Sequence, residues 1–201
     1  QNLTITAGHV YDQIGSGIIF RAYEDRGLLI DYALFGLHLK YRANKYLTVK
    51  GFSGQTKNLF DRYKPILKGF AAEGDLDLGK SAHITPGIGI VNRTMDQASM
   101  DQVISTINSY PMSDRFTPVY NSFASTFYNT LNAGDFTWYV EAAYKSHEAV
   151  STDIGLKRLN GNVLYSTLGY SQAKFGINAN FKRTENFMMR TSPNETLIKG
   201  L

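Results

Sequence analysis

The chain has 201 residues, of which 13% are aromatic (13 Tyr and 12 Phe) and only 19% charged, with a net charge of +4. That mix is rich in strand formers and too aromatic for a disordered segment, and no apolar run reaches the roughly 18 residues that a membrane helix needs. Helical membrane proteins are therefore excluded, as are disulfide scaffolds and thiolate metal sites, since there is no cysteine. Lys and Arg are scattered among carboxylates, without the basic run that would point to nucleic acid.

In chain order, Asn2 to Tyr11 alternates loosely, with Leu3, Ile5 and Ala7 against Thr4, Thr6 and Gly8. Phe35 to Arg42 is cleaner: Phe35, Leu37, Leu39 and Tyr41 face one way, His38, Lys40 and Arg42 the other. A short turn leads to Tyr46–Gly54, which predicts a hairpin. Ile66 to Leu78 sets Phe70, Ala72, Leu76 and Leu78 against an acidic row of Glu73, Asp75 and Asp77. Ala82 to Asn92 follows, with Pro86 marking an edge, a bulge or a break. Met95 to Tyr110 has helical spacing at Met100, Val103, Ile104 and Ile107, with Ser99 as the expected cap. Residues 93–118 thus read as one long, partly helical loop.

Strand pattern resumes at Val119–Leu131 and is clearest at Asp135–Ser146. There Phe136, Trp138, Val140, Ala142 and Tyr144 share an apolar face, opposite Thr137, Tyr139, Glu141, Ala143 and Lys145. Asn162–Gln172 and Lys174–Arg183 form a last pair, and Glu185–Leu201 has weak pattern. Long connections at Gln55–Pro65, Arg93–Pro118 and His147–Gly161 alternate with tight turns. About nine or ten strands of this kind, apolar on one face and with aromatics near their ends, predict an all-β fold, an antiparallel transmembrane β-barrel of which 1–201 is one part.

In such a barrel the aromatics Phe127, Tyr128, Phe136, Trp138, Tyr139, Tyr144, Tyr165, Tyr170 and Phe175 are expected at the lipid interface. His38, Lys40, Arg42, Glu73, Asp75, Asp77, Glu141 and Lys145 would line the lumen, the acidic row facing the basic one. Asp12 to Phe35 packs Arg21, Glu24, Asp25, Arg26 and Asp31 among large apolar residues. It reads as a lumen charge cluster, either constricting a channel or neutralising itself inside a filled barrel. Gly15-Ser16-Gly17 lacks the remaining residues of a nucleotide loop and suggests a bend at the barrel rim. The acidic row lacks calcium-loop spacing, and His9, His38, His83 and His147 are isolated, so no metal or cofactor is expected. No Gly-x-Ser-x-Gly elbow marks a nucleophile, and no enzymatic activity is expected.

The run Tyr11-Asp12-Gln13-Ile14-Gly15-Ser16-Gly17-Ile18-Ile19-Phe20-Arg21-Ala22-Tyr23-Glu24, with Asp31 beyond it, resembles a segment of an uncharacterised Bacteroidetes family of outer-membrane proteins. Phe181-Lys182-Arg183-Thr184-Glu185-Asn186-Phe187-Met188 is similar to that family's pattern too. The resemblance implies a longer barrel of which this chain is part, and no activity. The expectation is a bacterial outer-membrane barrel, a pore or transporter or a barrel subunit of a larger envelope assembly. Its partners would be outer-membrane lipid and other envelope subunits. The alternative is a secreted soluble β-sandwich that binds glycans, with Trp138 and tyrosines as stacking platforms.

Overall fold

The computed structural model describes residues 2–28, 30–58, 61–79 and 81–188. Nine main strands follow one another as an antiparallel meander, each paired with its neighbour in the chain. They are β1 (Leu3–Val10), β2 (Leu34–Asn44), β3 (Leu47–Asn58), β4 (Ile66–Gly74), β5 (Ala82–Thr94), β6 (Asn121–Ala133), β7 (Phe136–Thr152), β8 (Gly155–Gln172) and β9 (Phe175–Glu185). Among the described residues β1 and β9 are each paired along one edge only, so the sheet is open. The described pairings make the predicted antiparallel all-β architecture; they do not close it into a ring.

Register explains why alternation was so clear in sequence. One row across the outer face reads Leu3, Tyr41, Val49, Ala72, Ile88, Phe127, Ala142 and Leu164, eight strands without a charge until Arg183 on β9. Another reads Leu76, Ile84, Leu131, Trp138, Leu168 and Ala179. Ile88 and Phe127 are each 54% exposed, so this face has no covering layer among the described residues. Leu3, Ile5, Leu37, Leu39, Phe70, Ile90, Tyr144 and Phe181 extend the same uncovered apolar surface.

The opposite, inner face carries the core. Gly69, Gly87 and Gly89 leave room on it: an added Cβ would lie 2.2 Å from the Phe52 ring at Gly69 and 2.4 Å from Ile14 at Gly89. Into that space folds the segment after β1. Asp12–Gln13 pairs with Arg21–Ala22 to make an inward hairpin, and Ile14, Ile19 and Phe20 at its tip are buried. Phe20 stacks on Phe52 with ring centroids 4.0 Å apart. Burying each of these side chains contributes about 1.5–3 kcal/mol, so apolar contact holds the hairpin and polar contacts fix its register. A second small hairpin, Glu24–Asp25 against Ile30–Asp31, stands beyond it.

Several boundaries differ from expectation. His147–Gly161 is not a connection: β7 and β8 run through it to a tight turn at Asp153-Ile154. A bulge between Lys145 and Glu148 shifts the register and reverses the alternation, which disguised the strand. Gln55–Pro65 is likewise shorter as a connection, since β3 reaches Asn58 and pairs with Asp61–Arg62. The strand expected over Ile66–Leu78 is broken opposite Pro86: β4 ends at Gly74 with Glu73↔Gly87, and a separate short strand, Leu76–Leu78, resumes the pairing with β5 at Leu76↔Ile84, as a missing N–H requires. The loop expected over 93–118 begins later, because Arg93 belongs to β5. Within it α1 (Gln97–Asn108) is capped by Asp96, which accepts from the Ser99 N–H and hydroxyl, so Ser99 is not the cap. Of the Glu185–Leu201 stretch, residues 189–201 lie outside the described residues.

Candidate functional site

The inward hairpin is seated at two polar points on the inner face. The first is Glu141 of β7, fully buried and with no ion pair among the described residues. Its Oε2 accepts from the Ser16 N–H (2.9 Å), the Ser16 hydroxyl (2.5 Å) and the Tyr139 hydroxyl (2.6 Å), and its Oε1 accepts from the Thr126 hydroxyl (2.8 Å). Four donors solvate the carboxylate in place of water, and two of them come from one hairpin residue. Gly15 makes the approach feasible: its φ is +55°, and a Cβ there would stand 2.8 Å from Glu141 Oε1. Gly15-Ser16-Gly17 therefore bends against the sheet's inner face and not at a rim.

The second point is Asp12. Its Oδ2 lies 3.0 Å from His38 Nε2 and its Oδ1 accepts from the Lys50 ammonium at 3.1 Å. Lys50 also donates to the Gln13 carbonyl at 2.6 Å and lies 3.7 Å from Glu73, which accepts from the Tyr128 hydroxyl. Strands β2, β3, β4 and β6 thereby converge on the base of the hairpin.

Apart from the hairpin, Glu148 forms a buried trio inside the sheet. Arg93 of β5 pairs with its Oε2, and the Lys145 ammonium donates to its Oε1 at 2.6 Å and to the Met188 carbonyl at 3.0 Å. Met100 and Val103 of α1 line a small gap beside Arg93 and Glu148, so the helix covers this end of the inner face.

The expected charge cluster does not assemble. Glu24 and Arg26 form an exposed pair at 3.1 Å, Asp25 accepts from the Gly27 and Leu28 N–H groups in its own turn, and Arg21 lies over the Tyr23 ring at 4.3 Å. Asp31 pairs with Lys57 and accepts from the Tyr11 hydroxyl at 3.2 Å. The Lys57 ammonium, working against partial burial, holds the Asp31 carboxyl below its ordinary value. The acidic row is also answered differently from expectation. Asp75 and Asp77 each lie 3.0 Å from a ring nitrogen of His83, whereas His38 is directed to Asp12. Lys40 and Arg42 share the parity of His38 but are exposed at the strand's far end. The reason is strand order: β3 stands between the two rows, Arg42 pairing with Thr48 and Thr48 with Glu73, so the basic and acidic strands are not neighbours.

Glu141 and Lys145 share the inner face, each buried in a different network. Trp138, Tyr144, Tyr170 and Phe175 are exposed on the outer face with Phe136 partly so, and the Trp138 indole N–H donates to Ser166 at 2.9 Å. Tyr128, Tyr139 and Tyr165 belong to the other parity: they point inward, and two of them serve carboxylates. Sequence reasoning missed Asp12, Ser16, Lys50, Arg93, Thr126 and Glu148. Only Lys50 and Arg93 carried a usable signal, as single cations on the polar face of their strands.

An open antiparallel meander with one bare apolar face and a hairpin-filled, ion-paired inner face is the class that fold and site define. Over residues 1–199 the chain matches the model of a family of unknown function, DUF6029, and belongs to that family. No curated protein and no solved structure matches it.

Proposed function

We propose that this is an outer-membrane β-barrel protein whose interior is occupied by its own hairpin. It acts as a plugged transport barrel or as a barrel subunit of a larger envelope assembly. The observation that carries the reading is the uncharged outer row from Leu3 to Leu164. Eight side-by-side strands presenting apolar side chains to the outside suit hydrocarbon, where a soluble sheet would need a second layer. A glycan-binding sandwich requires such a layer, and none is present among the described residues. Of the two roles, docking is served by a filled interior as it stands, whereas transport requires the hairpin to leave.

The test is membrane fractionation with heated and unheated electrophoresis. The protein is expected in the membrane fraction with a heat-modifiable shift. Phe127→Lys, which puts a charge in mid-row at about 2–4 kcal/mol, is expected to abolish folding into membranes. A protein that stays in solution without detergent and shows no shift would overturn the barrel.

A further inference from the structure

Between the hairpin turn and the inner face of β8 and β9 lies a cavity of about 320 Å³, lined by Ser16, Gly17, Ile18, Arg21, Tyr165 and Lys182. Among the described residues two cations line it and no carboxylate does. Glu141 is behind the turn, its oxygens already taken by Ser16, Thr126 and Tyr139. Among the described residues neither Arg21 nor Lys182 forms an ion pair, whereas the inner-face cations Lys50, Lys145 and Arg93 each meet a carboxylate. Arg21 is also placed by shape. Gly17 has φ +92°, and a Cβ there would stand 3.1 Å from Arg21 Cδ, so the glycine admits the arginine stem along the turn. The Tyr23 ring takes one face of the guanidinium and leaves the N–H groups at its edge to donate elsewhere. The Tyr165 ring forms the floor, its hydroxyl donating to Thr167 Oγ1 at 2.8 Å while the threonine proton goes to Asn180 Oδ1 at 2.8 Å.

We propose that this cavity binds a small oxyanion, a phosphate or carboxylate group carried by a solute or by a lipid head group. Arg21 would supply paired N–H donors and Lys182 a point charge. The inference goes beyond the barrel reading, and its first test does not depend on that reading.

Inorganic phosphate is titrated calorimetrically into the purified full chain. Saturable binding is expected, weakened about tenfold or more by Arg21→Gln and by Lys182→Gln and unchanged by Lys157→Gln, a cation outside the cavity. Lys182 is exposed on the edge strand, so its variant is expected to fold even if the Arg21 variant does not. No binding by the wild type, or equal binding by Lys182→Gln, would overturn the proposal. The second arm does rest on the barrel reading and distinguishes the source. In phosphatidylcholine vesicles with and without phosphatidylglycerol, a head-group site loses phosphate affinity when the anionic lipid is present. A solute site keeps it, and either result supports the oxyanion chemistry. Failure of the protein to insert into vesicles, with phosphate binding intact in the first arm, would count against the barrel alone.

Discussion

Glu141 and Glu148 lie on one strand and are both buried, yet the protein holds them in opposite ways. Glu148 sits between two cations supplied by the sheet itself, Arg93 and Lys145. Glu141 has neutral donors, and its hydrogen bonds include two from Ser16 on the inward hairpin. The difference assigns the two residues to different levels of structure. Both ion pairs of Glu148 are made by side chains of the sheet, and neither uses a hairpin residue. The Glu141 cluster is complete only with the hairpin in place, so it couples the seat of the hairpin to the sheet.

Removing charge from each residue separates these levels. Glu148→Gln leaves two buried cations with a neutral partner, and breaking a buried pair from one side costs about 3–5 kcal/mol. The expected result is a large drop in the denaturant midpoint of the whole sheet, read as loss of the heat-modifiable band. Glu141→Gln keeps one carbonyl acceptor, which turns to the Ser16 and Tyr139 donors, but loses the charge they solvate and sets an amide NH2 against the Thr126 hydroxyl. The expected cost is smaller, about 1–3 kcal/mol, and local. Hydrogen exchange should quicken in residues 12–22 while β5 and β6 keep their protection, and a planar bilayer should show openings that the wild type lacks. Uniform loss of protection would mean that Glu141 supports the whole sheet as Glu148 does, and the comparison would fail.

Much of the sheet was legible because period-two alternation is local, and in Phe136–Tyr144 or Phe35–Arg42 nothing interrupts it. Where the structure inserts one residue, at the bulge after Lys145, the same rule hid the continuous strands β7 and β8 inside a supposed loop. The inner-face site was less legible because parity says which face a side chain takes but not which partner it meets. Tyr128, Tyr139 and Tyr165 are aromatics near strand ends, as an interfacial girdle requires, yet their parity is that of Glu141 and they point inward. Partners such as Ser16 with Glu141, 125 positions apart, depend on a hairpin folding back across the sheet, and no spacing records that. The stretch Asp12–Phe35 stood out for its charges, whereas what it buries is Ile14, Ile19 and Phe20. Of its charges, Glu24, Asp25 and Arg26 find partners in their own turn and Asp31 at the end of β3, all outside the core.

The smallest effect belongs to that outer end, and it tests whether polar contacts beyond the seat matter to the hairpin at all. Asp31 lies outside the nine strands, paired with Lys57, and its carboxyl is held below its ordinary value by that ammonium. A carboxyl whose folded pKa is depressed binds its proton more weakly in the folded state. It therefore contributes stability that is present above its unfolded pKa and is lost as pH falls through the folded one. In the wild type, stability should decline on acidification through the carboxylate range, and Asp31→Asn should remove part of that slope while changing little at neutral pH. The measurement is the denaturant midpoint at a series of pH values for both proteins, with hydrogen exchange of residues 12–22 followed in parallel. Parallel pH curves would mean that the Asp31–Lys57 pair is a surface contact without energetic consequence. A flattened curve with unchanged exchange in the hairpin would place its contribution in the second small hairpin, leaving Glu141 and Asp12 as the groups that hold the inward hairpin in register.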